Sequence, residues 1–289
     1  MFPNSVKLKF VLITGISSGI GLYIAKLISE HSYSVIGTYR TIQNLDPTLI
    51  NQHKIHLIQM DVADESSIER AFAEITSLTG EHGLYALINN AGIASPGPIS
   101  HLALDKIKYQ FQVNVFGLIK MIQMAFDLLI KQGEGSRIIN ISSVSGLFAS
   151  PFLGAYASSK FAVEGLSDSL RRELKLMNIK VIIIEPGSIK TPIWSKHLEA
   201  AKDFEDSPYS VYMEKARETI LEMEKSAIPV ESLKIPVLEA LMSSKPKTRY
   251  LIRKNKFLFC LLAKYLPVPL VDFLVHRNLR SGKRKIRPI

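Results

Sequence analysis

Short apolar runs alternate with longer segments of helical spacing along most of the chain, and this alternation predicts the fold. Seven of the runs are short and often β-branched, and we interpret them as strands: Phe10–Thr14, Ser34–Thr38, His56–Met60, Ala86–Asn89, Arg137–Ile141, Lys180–Ile184 and Arg249–Ile252. Runs of this kind, separated by helices, are typical of βαβ units whose parallel strands are buried on both faces. Right-handed crossovers then predict an α/β fold with one doubly wound parallel sheet.

The alternation stops after Ile184. The segment 194–244 contains two helical stretches and no convincing strand, so residues from about 192 to 244 are predicted to form a helical lid over the substrate crevice. Apolar segments at Phe257–Ala263 and Val268–Val275 predict a helical C-terminal extension over about 253–289. A length of 289 residues suits one α/β domain, so we expect residues 1–289 to form a single domain.

The composition narrows the class of protein. Hydrophobic residues make up 47% of the chain and charged residues 21%, as in soluble globular proteins. The one cysteine, Cys260, excludes an internal disulfide and is predicted to be a buried thiol. We find no signal peptide before the first strand and no segment near the roughly 20 apolar residues of a membrane span, so we expect a cytoplasmic protein.

The positive charge is concentrated at the C-terminus. From Lys245 to Ile289 there are 13 Lys and Arg residues against one acid, Asp272, whereas the whole chain carries a net charge of +10. No nucleic-acid-binding motif accompanies this tail, so no nucleic-acid partner is expected. Apolar helices flanked by cations can lie on an anionic membrane surface, or they can pack on the domain with a solvated basic end, and the sequence leaves both open.

The first predicted strand runs into a glycine-rich turn, Thr14-Gly15-Ile16-Ser17-Ser18-Gly19-Ile20-Gly21, and then into a helix. Gly15 permits the tight turn, Gly19 lets a phosphate approach the backbone, and Gly21 allows the helix to pack closely on the strand. A pyrophosphate would then bind at the helix N-terminus, which predicts a Rossmann-type dinucleotide site. The spacing differs from Gly-x-Gly-x2-Gly, and a lone match would indicate only a glycine-rich turn.

The second strand is followed by Tyr39-Arg40, where an NAD-specific site usually has an acid. The guanidinium of Arg40 suits a 2′-phosphate, because its planar fork bonds two oxygens. A solvated arginine at a strand end is the plain alternative. The missing carboxylate favours NADP(H) over NAD(H).

Tyr156 and Lys160 are four residues apart and therefore share one face of a predicted helix. A nearby cation lowers the pKa of a tyrosine, so this pair could exchange a proton with a carbonyl oxygen or an alcohol. Ser143 follows a strand and could hold the substrate oxygen, although such serines are often only caps. Asn114 lies in an apolar helical stretch and must bond either backbone or an ordered water.

Together these residues resemble the main branch of the short-chain dehydrogenase/reductase family. The resemblance covers roughly residues 9–195 and the last strand, and within the family it is nearer to the steroid- and retinoid-type carbonyl reductases. The matching motifs are the turn Thr14–Gly21, Asn89-Asn90-Ala91-Gly92, the tetrad Asn114, Ser143, Tyr156 and Lys160, and Pro186-Gly187 with Thr191.

The resemblance implies a role for each matched residue. Tyr156 is the acid–base group, Lys160 its electrostatic helper and a ligand of the nicotinamide ribose, Ser143 the substrate holder, and Asn114 the ligand of a relay water. The other cofactor contacts would be Gly15, Ser17, Ser18, Gly19, Ile20, Gly21 and Arg40 at the phosphates, Asp61 and Val62 at the adenine, Asn90, Ala91 and Gly92 along the trench, and Pro186, Gly187 and Thr191 at the nicotinamide. No metal is expected.

The leading hypothesis is hydride transfer between NADP(H) and a ketone or secondary alcohol, and the alternative is a non-catalytic cofactor-binding sensor or scaffold. The segments 94–96 and 147–152, together with Trp194, are candidate pocket residues and mostly apolar, which predicts a small hydrophobic substrate. By analogy with the family, helices beginning near Asp105 and Gly154 would form a homodimer or homotetramer.

Overall fold

The computed structural model describes residues 8–49, 55–191, 201–204, 206–256, 259, 263 and 265–280. They contain one seven-stranded sheet of order β3-β2-β1-β4-β5-β6-β7, in which every neighbouring pair is parallel. The strands are β1 (Phe10–Ile13), β2 (Ser34–Tyr39), β3 (Ile55–Gln59), β4 (Leu84–Asn89), β5 (Arg137–Ile141), β6 (Lys180–Pro186) and β7 (Arg249–Ile252). All seven predicted strands are present, with small differences at their ends.

The strand order reverses between β1 and β4, which lie side by side although β2 and β3 separate them in the chain. Connections on the two sides of this point lead away from each other, and a crevice opens at the carboxyl edge of the sheet. Both strands are buried along their whole length, as expected for central strands of a parallel sheet.

Helices cover both faces of the sheet. They are α1 (Gly19–Ser29), α2 (Glu65–Thr79), α3 (Leu104–Phe111), α4 (Gly117–Gln132), α5 (Gly154–Leu174), α6 (Ser210–Lys225), α7 (Lys234–Met242) and α8 (Val268–Arg280). One hydrophobic core includes Ile24 of α1 and Val237 of α7, and the other includes Ile68 of α2 and Met121 of α4. The two cores confirm the predicted doubly wound α/β fold.

A π-helical segment, Gln112–Phe116, joins α3 to α4. The resulting continuous helix, Leu104–Gln132, has a mean hydropathy of 1.6 in its most apolar window, so it is long and apolar enough to cross a membrane. The expectation that no segment approaches a membrane span is therefore wrong by length and composition. Half of that window is buried inside the protein, and Met121, Ala125 and Leu129 pack in the core, so this helix also has the features of a core helix.

The predicted lid of residues 192–244 is too long at its C-terminal end. Helix α7 lies in this range, yet Val237, Ala240 and Leu241 are fully buried in the core beside α1. The sheet face between β6 and β7 has to be covered, and α7 is the crossover helix that covers it. Among the described residues, the predicted lid thus keeps the turn Ala201–Phe204 and α6, and whether they cover the substrate stays a prediction.

Two sequence predictions lie outside the described residues: the buried thiol of Cys260 and the pocket position of Trp194. Of the apolar segment Phe257–Ala263, only Phe259 and Ala263 are described, and both are helical. The second apolar segment is a helix as predicted, and α8 extends it to Arg280.

Candidate active site

The glycine turn after β1 has the backbone that only glycine adopts readily. Gly15 and Gly19 have φ angles of +70° and +61°, in the left-handed region. At Gly21 a Cβ would lie 2.2 Å from the carbonyl oxygen of Gly15 and 2.4 Å from Nδ2 of Asn90. The third glycine is therefore required where the helix packs against its own turn.

Asn90 fixes this turn from the end of β4. Its Nδ2 donates to the carbonyl oxygens of Thr14 and Gly15, both at 2.9 Å. In return, Oγ1 of Thr14 accepts the backbone N–H groups of Asn90 at 3.0 Å and Ala91 at 2.9 Å. The two central strands are thereby tied together where the crevice opens.

The N-terminus of α1 is suited to an anion. Ser18 is the N-cap residue, but its side chain makes no capping hydrogen bond. Ser18 is exposed and Ser17 and Ile20 are partly exposed, although β1 directly before them is buried. First-turn N–H groups without a side-chain cap, at the positive end of the helix dipole, fit a pyrophosphate.

Thr191 lies across the crevice from this turn. Its Cβ and Cγ2 are 3.7 Å from the position that a Cβ on Gly19 would take. Further back in the same loop, Gly187 donates its N–H to the carbonyl oxygen of Ile252 at 2.8 Å. The loop after β6 is thus held by the end of β7 and reaches the glycine turn.

Arg40 lies at the carboxyl end of β2, close to the glycine turn, since Ile16 donates its N–H to the carbonyl oxygen of Thr38 at 2.9 Å. The Arg40 guanidinium is exposed, and its Nη1 donates to the hydroxyl of Tyr109 on α3 at 2.8 Å. Tyr109 was not predicted, because a pair 69 residues apart leaves no local pattern in the sequence.

The residues after β3 are positioned differently from one another. Asp61 is partly exposed, and its Oδ1 accepts the N–H of Ala63 at 2.9 Å. Val62 is 9% exposed and its side chain packs in the core. Val62 can therefore face a bound cofactor mainly through its backbone.

Ser143 and Tyr156 lie close together at the carboxyl edge of β5, near enough for the Ser143 hydroxyl to affect the pKa of the tyrosine. Ser143 is the N-cap of the short turn Val144–Gly146, and its Oγ accepts the N–H of Ser145 at 3.1 Å. Burial raises the pKa of Tyr156 above its ordinary value, while the Ser143 hydroxyl lowers it. The predicted lowering of this pKa by Lys160 is thus wrong for this structure, because burial has the larger effect.

Lys160 is 5% exposed and lies one turn after Tyr156 on α5, as predicted. Its Nζ lies 5.9 Å from the centre of the Tyr156 ring and donates to the carbonyl oxygen of Ile141 at 2.9 Å. Burial lowers the pKa of Lys160 to about 8, while the charge of Glu164 raises it. The ammonium therefore titrates near neutral pH.

Asn114 lies in the π-helical segment, a kind of irregularity often found at functional sites. Its Oδ1 accepts the N–H of Ile93 at 2.9 Å, and its Nδ2 donates to the carbonyl oxygen of Ile93 at 2.9 Å and to Oγ of Ser159 at 3.0 Å. A Cβ on Gly92 would lie 3.3 Å from Oδ1 of Asn114 and 3.7 Å from Nζ of Lys160. Of the two predicted alternatives, the side chain bonds protein groups, and it positions the loop beside Lys160.

Aromatic side chains of the predicted pocket segment contact rings from later parts of the chain. Phe152 has a φ of +64°, and its ring meets that of Tyr209 edge-on at 6.1 Å, while Phe148 meets Phe259 edge-on at 6.4 Å. Phe204 packs with Phe152 and Tyr209 in a small separate hydrophobic cluster. The predicted pocket segment 147–152 thus contacts Tyr209, which lies in the predicted lid, and Phe259, which lies in the C-terminal extension.

Comparisons with known proteins agree with this geometry. The family model for short chain dehydrogenase matches residues 9–202. An NADPH-dependent 3-dehydrocapnine reductase from Ornithobacterium rhinotracheale is 33% identical over 280 residues, which are 95% of this chain and 98% of that protein. Short-chain dehydrogenase/reductase family 9C member 7 from Mus musculus is 33% identical over 285 residues, covering 94% and 90%.

Among solved structures, a short-chain dehydrogenase from Streptomyces avermitilis has a TM-score of 0.77 at 24% identity, covering 97% of this chain and 100% of that one. That likeness concerns the fold alone, and it agrees with the parallel sheet described above. The matched family model covers two thirds of the sequence, including all four residues of the tetrad. This chain belongs to the short-chain dehydrogenase family.

Proposed function

We propose that this protein is an NADP(H)-dependent oxidoreductase that transfers a hydride between the cofactor and a carbonyl or secondary alcohol of a hydrophobic substrate. We place this activity in one domain spanning residues 1–289. The observation that carries the proposal is the convergence of Ser143, Tyr156 and Lys160 at the carboxyl edge of β5, beside the glycine turn. The cofactor supplies the hydride when bound.

The protein's own residues supply the proton and the orientation. Tyr156 holds a proton at its hydroxyl oxygen and donates it to the carbonyl oxygen during reduction. Ser143 lies beside this hydroxyl and would orient the substrate oxygen. The Lys160 ammonium would favour the phenolate as it develops during the reaction, whereas burial raises the pKa of Tyr156 in the resting protein.

The cofactor would bind along the crevice from the glycine turn to the loop after β6. The free N–H groups of α1 would bind the pyrophosphate, and Arg40 would bind the 2′-phosphate with Tyr109 holding its guanidinium. The remaining assigned contacts are Asp61 and Val62 at the adenine, Asn90, Ala91 and Gly92 along the trench, and Pro186, Gly187 and Thr191 at the nicotinamide. The similar reductase from Ornithobacterium is named as NADPH-dependent, which supports NADP(H) as the cofactor of this protein.

An apolar substrate is favoured by the aromatic wall. The rings of Phe148 and Phe259 and those of Phe152 and Tyr209 contact each other beside the proposed substrate site. Burying apolar substrate surface against such rings contributes about 25 cal/mol per Å². A substrate that carries an apolar chain or ring system beside its carbonyl fits this wall better than a charged metabolite does.

A homodimer or homotetramer through the continuous α3–α4 helix and α5 completes the proposal. Phe116 and Ile130 on the α3–α4 helix and Phe161 on α5 are 55%, 42% and 46% exposed, so these helices present apolar side chains outward. Sedimentation analysis of the wild type and of Phe161→Asp tests it. An unchanged mass for the variant would contradict an interface at Phe161.

We also propose a peripheral contact of α8 with an anionic membrane from the cytoplasmic side. On α8, Val271, Val275 and Leu279 are partly buried, while Phe273 and Leu274 are 59% and 37% exposed. Phe273 and Leu274 thus form an apolar stripe that is turned outward, and the sequence around this stripe is strongly basic. An apolar stripe with flanking cations is the usual composition of an interfacial helix.

The activity is tested with Tyr156→Phe. The variant keeps the ring and loses the transferable proton, so kcat should fall by about 10²–10⁴-fold while NADPH still binds. NADPH oxidation is measured with a panel of apolar ketones, and binding is measured by NADPH fluorescence. Tyr265→Phe, at a tyrosine that is 76% exposed, is the matched control and should keep full activity.

A Tyr156→Phe variant that keeps more than about a tenth of kcat would show that Tyr156 is not the acid. A wild type that binds NADPH but reduces no ketone in the panel would favour the alternative, a cofactor-binding sensor or scaffold.

A further inference from the structure

A buried ionic cluster lies behind the catalytic lysine, and the proposed chemistry does not use it. Glu164 follows Lys160 by four residues on α5, just as Lys160 follows Tyr156, so the three side chains share one helix face. Glu164 is 6% exposed and Glu185 of β6 is 3% exposed. Arg249 of β7 forms ion pairs with both.

Arg249 is the centre of this cluster. Its Nη1 bonds Oε2 of Glu164 and Oε1 of Glu185, the latter at 2.7 Å, and its Nη2 lies 2.9 Å from Oδ1 of Asp168. Asp168 also pairs with Arg171 at 3.0 Å. Three carboxylates and two guanidinium groups therefore meet in this cluster, next to the helix face that carries Lys160.

Glu164 is only partly satisfied within the cluster. Its Oε1 is buried and, like Oγ of Ser142, has no hydrogen-bond partner among the described residues. A Cβ on Gly146 would lie 2.9 Å from Cγ of Glu164, 3.0 Å from Oγ of Ser142 and 3.1 Å from the carbonyl oxygen of Lys160. A buried carboxylate needs compensation by charge, and Lys160 is the buried cation on the same helix face.

The other elements around Lys160 bring mainly neutral groups. The π-helical segment contributes the amide of Asn114, β5 contributes the carbonyl of Ile141, and the loop after β4 contributes Gly92. Arg137 lies at the other end of β5, where its Nη1 bonds the carbonyl oxygen of Ala240. The titratable and charged groups of the described elements packed nearby are Tyr156, Glu164 and Asp168 on α5, Glu185 on β6, Arg249 on β7, and the exposed Asp105, Lys106 and Lys108 on α3.

We propose that Glu164, held in place by Arg249, is a positioning residue that keeps the side chain of Lys160 charged during turnover. Glu164 acts through Lys160 and touches neither substrate nor cofactor. The catalytic consequence rests on the proposed function, whereas the charge pairing does not. Because burial brings the pKa of Lys160 to about 8 and Glu164 opposes that effect, the charge at neutral pH depends on Glu164.

The charge pairing is tested without turnover by NMR titration of lysines labelled with ¹³C at Cε, in the full chain without cofactor. The Lys160 signal is assigned by its loss in Lys160→Met. In Glu164→Gln the Lys160 midpoint should fall by roughly one pH unit, the lower end of the effect of a close opposite charge. Asp168→Asn is the matched control, because it also removes one negative charge and a contact with Arg249. Asp168 lies one turn farther from Lys160 along α5 than Glu164 does, so the Lys160 midpoint in this variant should stay near that of the wild type.

The catalytic consequence is tested by pH profiles of ketone reduction. A midpoint falling from about 8 to about 7 lowers the protonated fraction at about pH 7.5 roughly threefold, and hardly changes it at about pH 6. In Glu164→Gln, kcat should therefore fall about threefold at the higher pH and recover at the lower pH, with the NADPH KM unchanged. A purely structural defect would persist at both pH values.

An unchanged Lys160 midpoint in Glu164→Gln, or an equal shift in Asp168→Asn, would overturn the proposal. If Glu164→Gln does not fold, Glu164→Asp gives the decision, because it moves the carboxylate back by one methylene and should lower the midpoint by a few tenths of a unit. If the wild type reduces no ketone, the proposed function fails, while the NMR titration still decides the role of Glu164.

Discussion

Replacing Lys160 with methionine is expected to abolish turnover and at the same time stabilise the fold. The folded-state pKa of Lys160, about 8, lies below its ordinary value of 10.5 because the amine is buried. Below about pH 8 both the folded and the unfolded state carry the proton, so the folded state bears the full cost of a buried ammonium. Between the two values the unfolded state binds more protons, and the free energy of unfolding of the wild type rises with pH.

A difference of about 2.5 pKa units corresponds to about 3 kcal/mol at neutral pH. Methionine fills similar space but leaves the carbonyl oxygen of Ile141 without the Lys160 Nζ, which costs about 1–2 kcal/mol. Lys160→Met should therefore be more stable than the wild type by about 1–2 kcal/mol at pH 7. This advantage should disappear by about pH 10, because the wild type has then lost most of its penalty.

Urea unfolding followed by circular dichroism at both pH values measures the difference. Lys106→Met is the matched control, since Lys106 is exposed and its one ion pair among the described residues is with the exposed Asp203. Its effect should stay within about 0.5 kcal/mol. A stability difference between Lys160→Met and wild type that is the same at pH 7 and pH 10 would refute the reasoning. It would mean that the buried amine carries no charge penalty.

Three further predictions concern the cofactor site and the tail. Arg40→Ala should weaken NADPH binding about ten- to hundredfold and hardly affect NADH, because only NADPH presents the 2′-phosphate; equal losses in titrations with both would contradict this role of Arg40. Gly21→Ala should cost about 1–3 kcal/mol of stability in thermal unfolding and abolish NADPH binding, because its Cβ would meet the carbonyl oxygen of Gly15. Gly165→Ala is its control: a Cβ there meets nothing within 4 Å, so this variant should stabilise the helix by up to about 1 kcal/mol. The wild type should sediment with anionic vesicles at low salt and be released at high salt, and Phe273→Gln with Leu274→Gln should stay in the supernatant; a wild type that does not sediment would rule out the membrane contact.

The sequence predicts most of the fold because the signals are local. Each strand is a short apolar run, and the turn after β1 carries three glycines at the positions where the structure has left-handed backbone or no room for a Cβ. The pairing of Tyr156 with Lys160 follows from their spacing on a helix. These features need only the nearest neighbours in the chain, and the structure has them where they were expected.

The features that the sequence did not predict depend on contacts between distant residues. Arg249 meets Glu164 across 85 residues and Glu185 across 64, and no periodicity indicates which of the many charged residues are buried together. Helix α7 was interpreted as part of the lid because its apolar residues fit a lid as well as a core helix. Only the sheet order, with β6 beside β7, shows which face needs a cover.

Helix α5 links the catalytic site to the core along one stripe of side chains. Tyr156 lies at the crevice, Lys160 behind it, and Glu164 one turn deeper against Arg249, so the polarity alternates from a proton donor to a cation to an anion. Burial disfavours every charge in this row, as the lowered pKa of Lys160 shows. A row of buried charges stays ionised only if each has a partner, and Arg249 on the last strand supplies the final one. The position of β7 at the sheet edge is therefore connected, through Glu164 and Lys160, to the tyrosine that we propose exchanges the proton.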